Sequence, residues 1–350
     1  MKLPWLVAAV FVFYFACGSP VPGELNPGAD AGGLDGGGME PADGGAADAA
    51  DEPDGDEAVR IDNVGGLGAG RPRLAVTMLD IGQGDGLLVQ LPGGKVLAVD
   101  GGPTPTGYGD ALRALGVRRL DYAVLSHAHA DHYGGLPAVL AELMPADCLP
   151  RVFDPGLERL DIAGYREFRS AAGCRYQKVG IGQTLNLDPD VEVAVLSAHD
   201  QRFGDDDDSH GINNTSVVTR VRYRRFSVLL GGDAEQPAEQ ALALAFPLLL
   251  RSTVLKAGHH GSCTSSGTTF LELVAPQYLL MSLAASNTYG MPHCQTMAKL
   301  SARPGLRWAR TDVNGRTVVT TDGTRYAVTL DRGKDSVATC PRDCAAPLDF

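Results

Sequence analysis

The run Ser126-His-Ala-His-Ala-Asp-His-Tyr-Gly-Gly135 places four nitrogen and oxygen metal ligands, His127, His129, Asp131 and His132, within six positions. The stretch before it, Leu120 to Leu125, reads as a short buried strand, and Leu136 to Met144 has the apolar spacing of a helix. The cluster therefore belongs on a strand-to-helix turn. In extended chain alternate residues project the same way, so His127 and His129 can share one ion while Asp131 and His132, turning into the helix, face a second. Mixed imidazole and carboxylate donors suit two divalent ions, with Zn²⁺ first and Mn²⁺ or Fe²⁺ as alternatives. A polar loop with satisfied histidines is the competing reading, and the density of ligands argues against it.

Further motifs punctuate the chain: Met78-Leu-Asp-Ile-Gly-Gln-Gly-Asp-Gly86, Val99-Asp-Gly-Gly102, Asn213-Asn-Thr-Ser216, Gly231-Gly-Asp233, Gly258-His-His-Gly-Ser262, Asn287-Thr-Tyr-Gly290 and Arg310-Thr-Asp-Val-Asn-Gly315. With the histidine run, and in this order, they resemble the metallo-β-lactamase superfamily, in particular the hydrolase domain of ComEC-type competence proteins. The resemblance spans about residues 74 to 330. It implies an α/β fold, a four-layer αβ/βα sandwich with metals at one edge, and a hydrolytic activity. Strand signals near 74–79, 87–91, 96–99, 191–196, 216–221, 226–230, 253–255, 278–282 and 317–320 suit such a sandwich, as do helix signals at 111–115, 158–171, 235–245, 269–274 and 294–300.

Carried over position by position, the resemblance supplies the rest of the site. Asp233 ends the apolar strand Ser227 to Leu230 and is the expected metal bridge, since one carboxylate can hold two cations; its other reading is a helix N-cap. His210 is preferred over His199 as the remaining ligand, although ComEC-type domains often lack it. Of the adjacent pair, His259 is expected to bind metal and His260 to face substrate, with the reverse left open. Asp131 and His260 are the expected catalytic residues. Asp85 and Asp100 are placed as carboxylates that orient the ligating histidines, and Asn287, Tyr289 and Ser262 as substrate contacts, while Met291 stands where many relatives carry His. Gly82 to Gly86 lacks the Lys and following helix of a nucleotide-binding loop, which excludes that reading. Asp205 to Asp208 reads as a solvated charged loop.

The ends differ from the middle. Residues 1–17 read as a secretory leader: Lys2 precedes an apolar run from Leu3 to Ala16 that is too short to span a bilayer, and Cys17 is the candidate lipid-carrying cysteine, against a plain leader cut near Ser19. Residues 18–70 are Gly, Ala, Asp and Pro with few large apolar side chains, a composition that favours a disordered tether. Between Gly18 and Arg60 eleven acidic residues face one Arg, so −10 of the chain's net −12 lies in that stretch and the folded part is near neutral. The expected hydrolase domain runs from 71 to 335, followed by a tail from 336 to 350 with a cysteine pair. Six cysteines remain besides Cys17, and fifteen pairings are open; the preferred set is Cys148 with Cys174, Cys263 with Cys294 and Cys340 with Cys344.

These readings point to an exported, lipid-anchored or secreted metal-dependent hydrolase, with a phosphodiesterase or nuclease acting on extracellular DNA as the leading function. Its mechanism would be attack by a water activated between two metals. Nucleic acid or another phosphodiester is the expected partner; the membrane enters only through the lipid, and no protein partner is expected. Arg220, Arg222, Arg224 and Arg225 are the one basic cluster outside the Arg-rich ends, readable as a backbone track or as a solvated hairpin. Two alternatives stand: a metallohydrolase of a small ester, amide or phosphorylated envelope component, and a non-catalytic binding lipoprotein that keeps the fold.

Overall fold

The computed structural model describes residues 57–67, 70, 72–199 and 208–344. The expected leader, Cys17, the tether as far as residue 56, and Asp205 to Asp207 lie outside the described residues.

Seven strands come first: Val59–Arg60 (β1), Leu74–Met78 (β2), Leu87–Gln90 (β3), Val96–Val99 (β4), Tyr122–Val124 (β5), Val152–Asp154 (β6) and Tyr176–Lys178 (β7). Seven more follow: Thr184–Asp188 (β8), Val191–Ser197 (β9), Val218–Tyr223 (β10), Phe226–Leu230 (β11), Val254–Lys256 (β12), Tyr278–Met281 (β13) and Arg307–Arg310 (β14). The chain then returns with Thr317–Thr321 (β15) and Arg325–Leu330 (β16) to the first sheet, whose order is β1-β16-β15-β2-β3-β4-β5-β6-β7. The second sheet runs β14-β13-β12-β11-β10-β9-β8. In each sheet antiparallel hairpins give way to parallel strands, β4 to β7 in one and β11 to β14 in the other.

Parallel strands reached through crossover helices are covered on both faces. On β11, Val228 and Leu230 enter the core between the sheets, where they join Val76, Met78, Val89, Val99 and Leu280, while Leu229 faces the opposite way. The helices Pro105–Ala114 (α1), Ala130–Tyr133 (α2), Leu136–Leu143 (α3) and Ala163–Ala172 (α4) follow the early strands. From α1, α3 and α4, Leu112, Leu136, Val139, Leu140 and Phe168 pack with Leu88, Ala98 and Ala123 on the outer face of the first sheet. Ser209–Asn214 (α5) precedes β10, and Gln236–Ala245 (α6), Thr268–Val274 (α7), Cys294–Ser301 (α8) and Thr311–Asn314 (α9) follow in turn. Leu242, Leu271 and Met297 of α6, α7 and α8 cover the outer face of the second sheet through Leu229, Leu255 and Leu279. The result is helix, sheet, sheet, helix: the four-layer αβ/βα sandwich.

Several edges differ from the sequence reading. The expected helix at 111–115 begins at Pro105, because Thr104 caps it by accepting from the Gly107 N–H. The helix expected from 158 starts at Ala163. Strands β6 and β7, three residues each, gave no periodic signal, and β1 lies in the stretch expected to be tether, where Val59 and Arg60 pair with Arg325 and Tyr326. Residues 336–344 are not a loose tail: the Ser336 N–H donates to the Trp308 carbonyl (2.7 Å) and Trp308 Nε1 donates to the Val337 carbonyl (3.0 Å).

Two of the three expected cysteine pairs are corrected. Cys148 is bonded to Cys174 as expected, but Cys263 pairs with Cys344 and Cys294 with Cys340. Residues 340–344, without helix or strand, are hydrogen-bonded to the start of α8 through the Arg342 carbonyl and the Cys344 N–H, which brings each sulfur to a partner on another segment.

Candidate metal centre

The site forms where the ends of β4, β5, β11, β12 and β13 meet. Asp100, one residue past β4, takes a left-handed backbone conformation (φ 58°) that turns its carboxylate onto the next strand's exit. Its Oδ1 accepts from the Ser126 N–H (2.7 Å) and its Oδ2 from Ser126 Oγ (2.7 Å) and His132 Nδ1 (2.8 Å). With Nδ1 engaged, His132 presents Nε2 to the site, the arrangement by which an outer carboxylate fixes a ligating histidine. Gly84 is held to glycine because a Cβ there would collide with the Asp131 carbonyl, so the Gly82 to Gly86 loop serves close backbone approach.

Asp233 follows β11 after a turn at Gly232 and is buried. Its Oδ2 lies 3.2 Å from both His132 Nε2 and His260 Nε2, 3.9 Å from His259 Nε2 and 4.0 Å from His127 Nε2. One carboxylate oxygen thus faces four imidazole nitrogens. The N-cap position of α6 is Glu235, which makes no side-chain capping bond, so the N-cap alternative for Asp233 does not describe this turn. Asp131 Oδ2 comes within 3.5 Å of His260 Nε2, and His127 Nε2 within 2.9 Å of His129 Nδ1.

The adjacent histidines divide differently from the sequence expectation. Both have left-handed backbones, φ 46° at His259 and 53° at His260, a strain that persists only where the surroundings hold it. His260 is the buried one; its Nδ1 donates to the Ser282 carbonyl (2.8 Å) and its Nε2 points into the cluster. His259 is partly exposed, with Nδ1 between Thr264 Oγ1 (3.0 Å) and Glu235 Oε1 (3.2 Å). His260 has the ligand's position and His259 the wall's. His210, expected among the ligands, lies outside the cluster: it is exposed, and its Nδ1 donates to Glu235 Oε2 at 2.8 Å. His199, the rejected choice, lies two residues past β9 and also joins no ligand group among the described residues.

Electrostatics oppose burial with compensation. Burial disfavours protonation of His132 and His260, but Asp233, with Asp100 and Asp131 for the first and Asp85 for the second, raises both well above the ordinary imidazole range. Burial works against ionisation of Asp233, and His260, His132 and His259 outweigh it, holding the carboxyl well below its usual range. Lys256, buried at the end of β12, is ion-paired to Asp85, lies 3.6 Å from Asp233 Oδ1 and donates to the Gly232 carbonyl (3.0 Å). No sequence motif named Lys256 or Glu235, and Gln83, inside the Met78 to Gly86 motif, was given no role; yet a lysine closing the apolar strand Val254-Leu-Lys256 is itself a sign, because buried lysines need partners.

Divalent cations fit these residues. His132 Nε2, His260 Nε2 and Asp233 Oδ1 are buried without a hydrogen-bond partner, and such orphans are costly unless another group satisfies them. Two triads, His127-His132-Asp233 and Asp131-His132-His260, bring their donor atoms within 4.8 Å of one another. They open into a cavity of about 250 Å³ lined by Gln83, His129, Asp131, His259, Tyr289 and Met291 among others.

Of the expected substrate contacts, Tyr289 lines this cavity. Asn287 closes its own loop through the Ala284 and Met291 carbonyls and the Met291 N–H, and buried Ser262 accepts from Thr264 Oγ1 (3.0 Å), so both serve turns. The basic cluster lies on the β10–β11 hairpin, at the far end of β11 from Asp233. Arg222 there pairs with Glu192 (3.2 Å), and Arg220 donates to Ser227 Oγ and the Arg251 carbonyl. The cluster belongs to the hairpin and does not line the metal centre.

Residues 79–284 match the family model of the metallo-beta-lactamase superfamily. The chain belongs to that superfamily. It is 32% identical over 262 residues to ComE operon protein 3 of Bacillus subtilis (strain 168), covering 69% of this chain and 32% of that protein. Competence protein ComA of Neisseria gonorrhoeae is 32% identical over 243 residues, covering 69% of this chain and 31% of that one. The chain therefore matches about a third of the length of these competence proteins. A solved diphosphatase from the PhnP family superposes with a TM-score of 0.43 at 14% identity, over 71% of this chain and 99% of that chain. The superfamily membership makes the site that of a metallohydrolase.

Proposed function

We propose that this metallohydrolase cleaves phosphodiester bonds in nucleic acid. The observation that carries the reading is the single Asp233 oxygen facing His127, His132, His259 and His260 beneath an open cavity, in a chain similar to two competence proteins. His127, His129 and Asp233 would hold one ion and Asp131, His132, His260 and Asp233 the second, with zinc preferred for this donor set and manganese next. When bound, the ions supply Lewis acidity and an activated water.

The chain's own residues do the rest. Asp100 and Ser282 orient His132 and His260, and Lys256 fixes the Gly232 turn that aims Asp233. Burial works against ionisation of Glu235, but His259, Asn213 and His210 hold its carboxyl below the usual range. The ionised carboxylate orients the His259 ring, whose Nε2 can neutralise charge on a leaving oxygen in the cavity. Tyr289, half exposed at the rim, offers a face for a base to stack on.

Three disulfides support an oxidising compartment, and with the leader-like residues 1–17 they favour an exported protein held by a lipid on Cys17. No helix among the described residues is long and apolar enough to cross a membrane.

The test is metal content together with hydrolysis of bis-p-nitrophenyl phosphate and single-stranded DNA, for the unaltered chain and Asp233→Ala. About two equivalents of metal, with cleavage lost in Asp233→Ala, are expected. Bound metal without phosphodiester cleavage moves the assignment to a small ester or amide, and no bound metal overturns the enzyme reading.

A further inference from the structure

The segment after β16 is built into the walls of the metal cavity. Beyond its contacts with Trp308, it receives a hydrogen bond from Arg310 at the Thr339 carbonyl, and then makes its two covalent ties four residues apart. Cys340 is bonded to Cys294, which opens α8 directly after the Tyr289 loop, and Cys344 is bonded to Cys263, three residues past His260. Between the ties, the Cys294 N–H donates to the Arg342 carbonyl (3.1 Å), and the Cys344 N–H to Gln295 Oε1 (2.9 Å).

Arg342 completes the attachment. Its Nη2 donates to the Tyr289 carbonyl and approaches that of Thr288 (3.4 Å), and its side chain lies flat on Gly290 where a Cβ would fit only by displacing it. Gly290 has φ 74°, so the glycine is required twice over, for the turn and for this contact. The loop it grips, residues 284–293, contains no helix or strand and carries Tyr289 and Met291 into the cavity. Apart from the strap, its ties include the Asn287 side chain within the loop and the Gln83 Oε1 contact with Ala284 (3.3 Å).

We infer that residues 336–344 form a covalent strap whose Arg342 positions the Tyr289 loop for substrate, so that the far C-terminal segment sets the substrate-side wall of the catalytic cavity. Arg342 acts through Tyr289 and touches no reacting atom; it is a positioning residue. Because the ligand cluster is built from β-strand ends and their turns, loosening the strap should raise KM and leave kcat nearly fixed. The inference rests on the hydrolase reading of the same cavity, but not for all of its test.

The test uses the full chain, metal-loaded, as Arg342→Ala and as Cys263→Ser/Cys344→Ser. Amide hydrogen exchange over 284–293 needs no substrate and should speed up about tenfold or more in both variants, with β2 unchanged. On single-stranded DNA, KM should rise about fivefold and kcat stay within about twofold. Arg342→Ala keeps all three disulfides and remains informative if the cysteine variant fails to fold. Unchanged exchange in Arg342→Ala overturns the strap, as does faster exchange with an unmoved KM. If the unaltered chain cleaves no phosphodiester, the functional reading falls and the exchange comparison alone decides the strap.

Discussion

His260 donates from Nδ1 to the carbonyl of Ser282 at 2.8 Å, and this bond turns its buried Nε2 into the carboxylate cluster, closer to Asp233 than the Nε2 of the partly exposed His259. With Nδ1 committed, Nε2 is the free ligand atom of His260, and it lies 3.2 Å from Asp233 Oδ2. His260→Ala should therefore reduce bound metal from about two equivalents to one and lower kcat/KM by roughly two to three orders of magnitude. His259→Ala should keep both equivalents and lose activity through kcat. Metal analysis of the two variants separates the assignments; one equivalent in His259→Ala with two in His260→Ala would reverse them.

Lys256 is a counter-charge of the metal-free site beside His132 and His260, and the first of them for Asp85. Its ammonium is ion-paired to Asp85 and sits 3.6 Å from Asp233 Oδ1, with all three groups buried. Removing one partner of such a pair leaves an uncompensated buried charge, a loss of about 3–5 kcal/mol. Lys256→Met should show that loss in metal-free protein and recover part of it when zinc is added, because the ions neutralise the same carboxylates. Thermal melts with and without zinc check this. An equal loss in both states would mean that Lys256 supports the fold independently of the metal centre.

The histidine run was legible because its ligands are contiguous and flanked by a strand and a helix, so local periodicity alone places them. Asp233 was legible as a carboxylate ending an apolar strand. The choice between His259 and His260 was not, since it depends on two left-handed residues and on an accepting carbonyl, that of Ser282, one residue past a distant strand, neither of which leaves a periodic trace. His210 stood in the expected place in the chain but at the exposed start of α5, where Glu235 holds it at the rim. Strands β6 and β7 escaped because each is three residues long without a longer apolar run around it: Val152-Phe153 stands between Arg151 and Asp154 and Tyr176 between Arg175 and Gln177, whereas the equally short β5 lies in the apolar stretch Leu120 to Leu125.

Cysteine connectivity is the clearest case of tertiary structure overriding chain proximity. Cys340 and Cys344 are four residues apart, yet they reach Cys294 and Cys263, 46 and 81 residues away in sequence. Non-reducing peptide mapping of the purified protein should recover Cys148 with Cys174, Cys263 with Cys344 and Cys294 with Cys340. A peptide joining Cys340 to Cys344 would detach residues 336–344 from both cavity walls and remove the basis for the strap.

Glu239 gives the fold a pH dependence of its own, away from the metal centre. Its side chain on α6 is buried and accepts from the Ser266 N–H (2.7 Å) and the Gly267 N–H (2.8 Å). Burial raises its pKa from 4.5 to about 7 against the pull of those two N–H groups. Between these values the folded chain holds a proton that the unfolded chain has released. Stability from the neutral carboxyl is therefore complete below about pH 4.5 and is lost as pH rises through about 7, a change of about 3 kcal/mol. Glu239→Gln removes the titration while weakening one of the two backbone bonds, so its stability should be lower at pH 5 but should fall less between pH 5 and pH 8. Urea unfolding of both chains at the two pH values measures the difference, and equal slopes would show that Glu239 is ionised throughout in the folded protein.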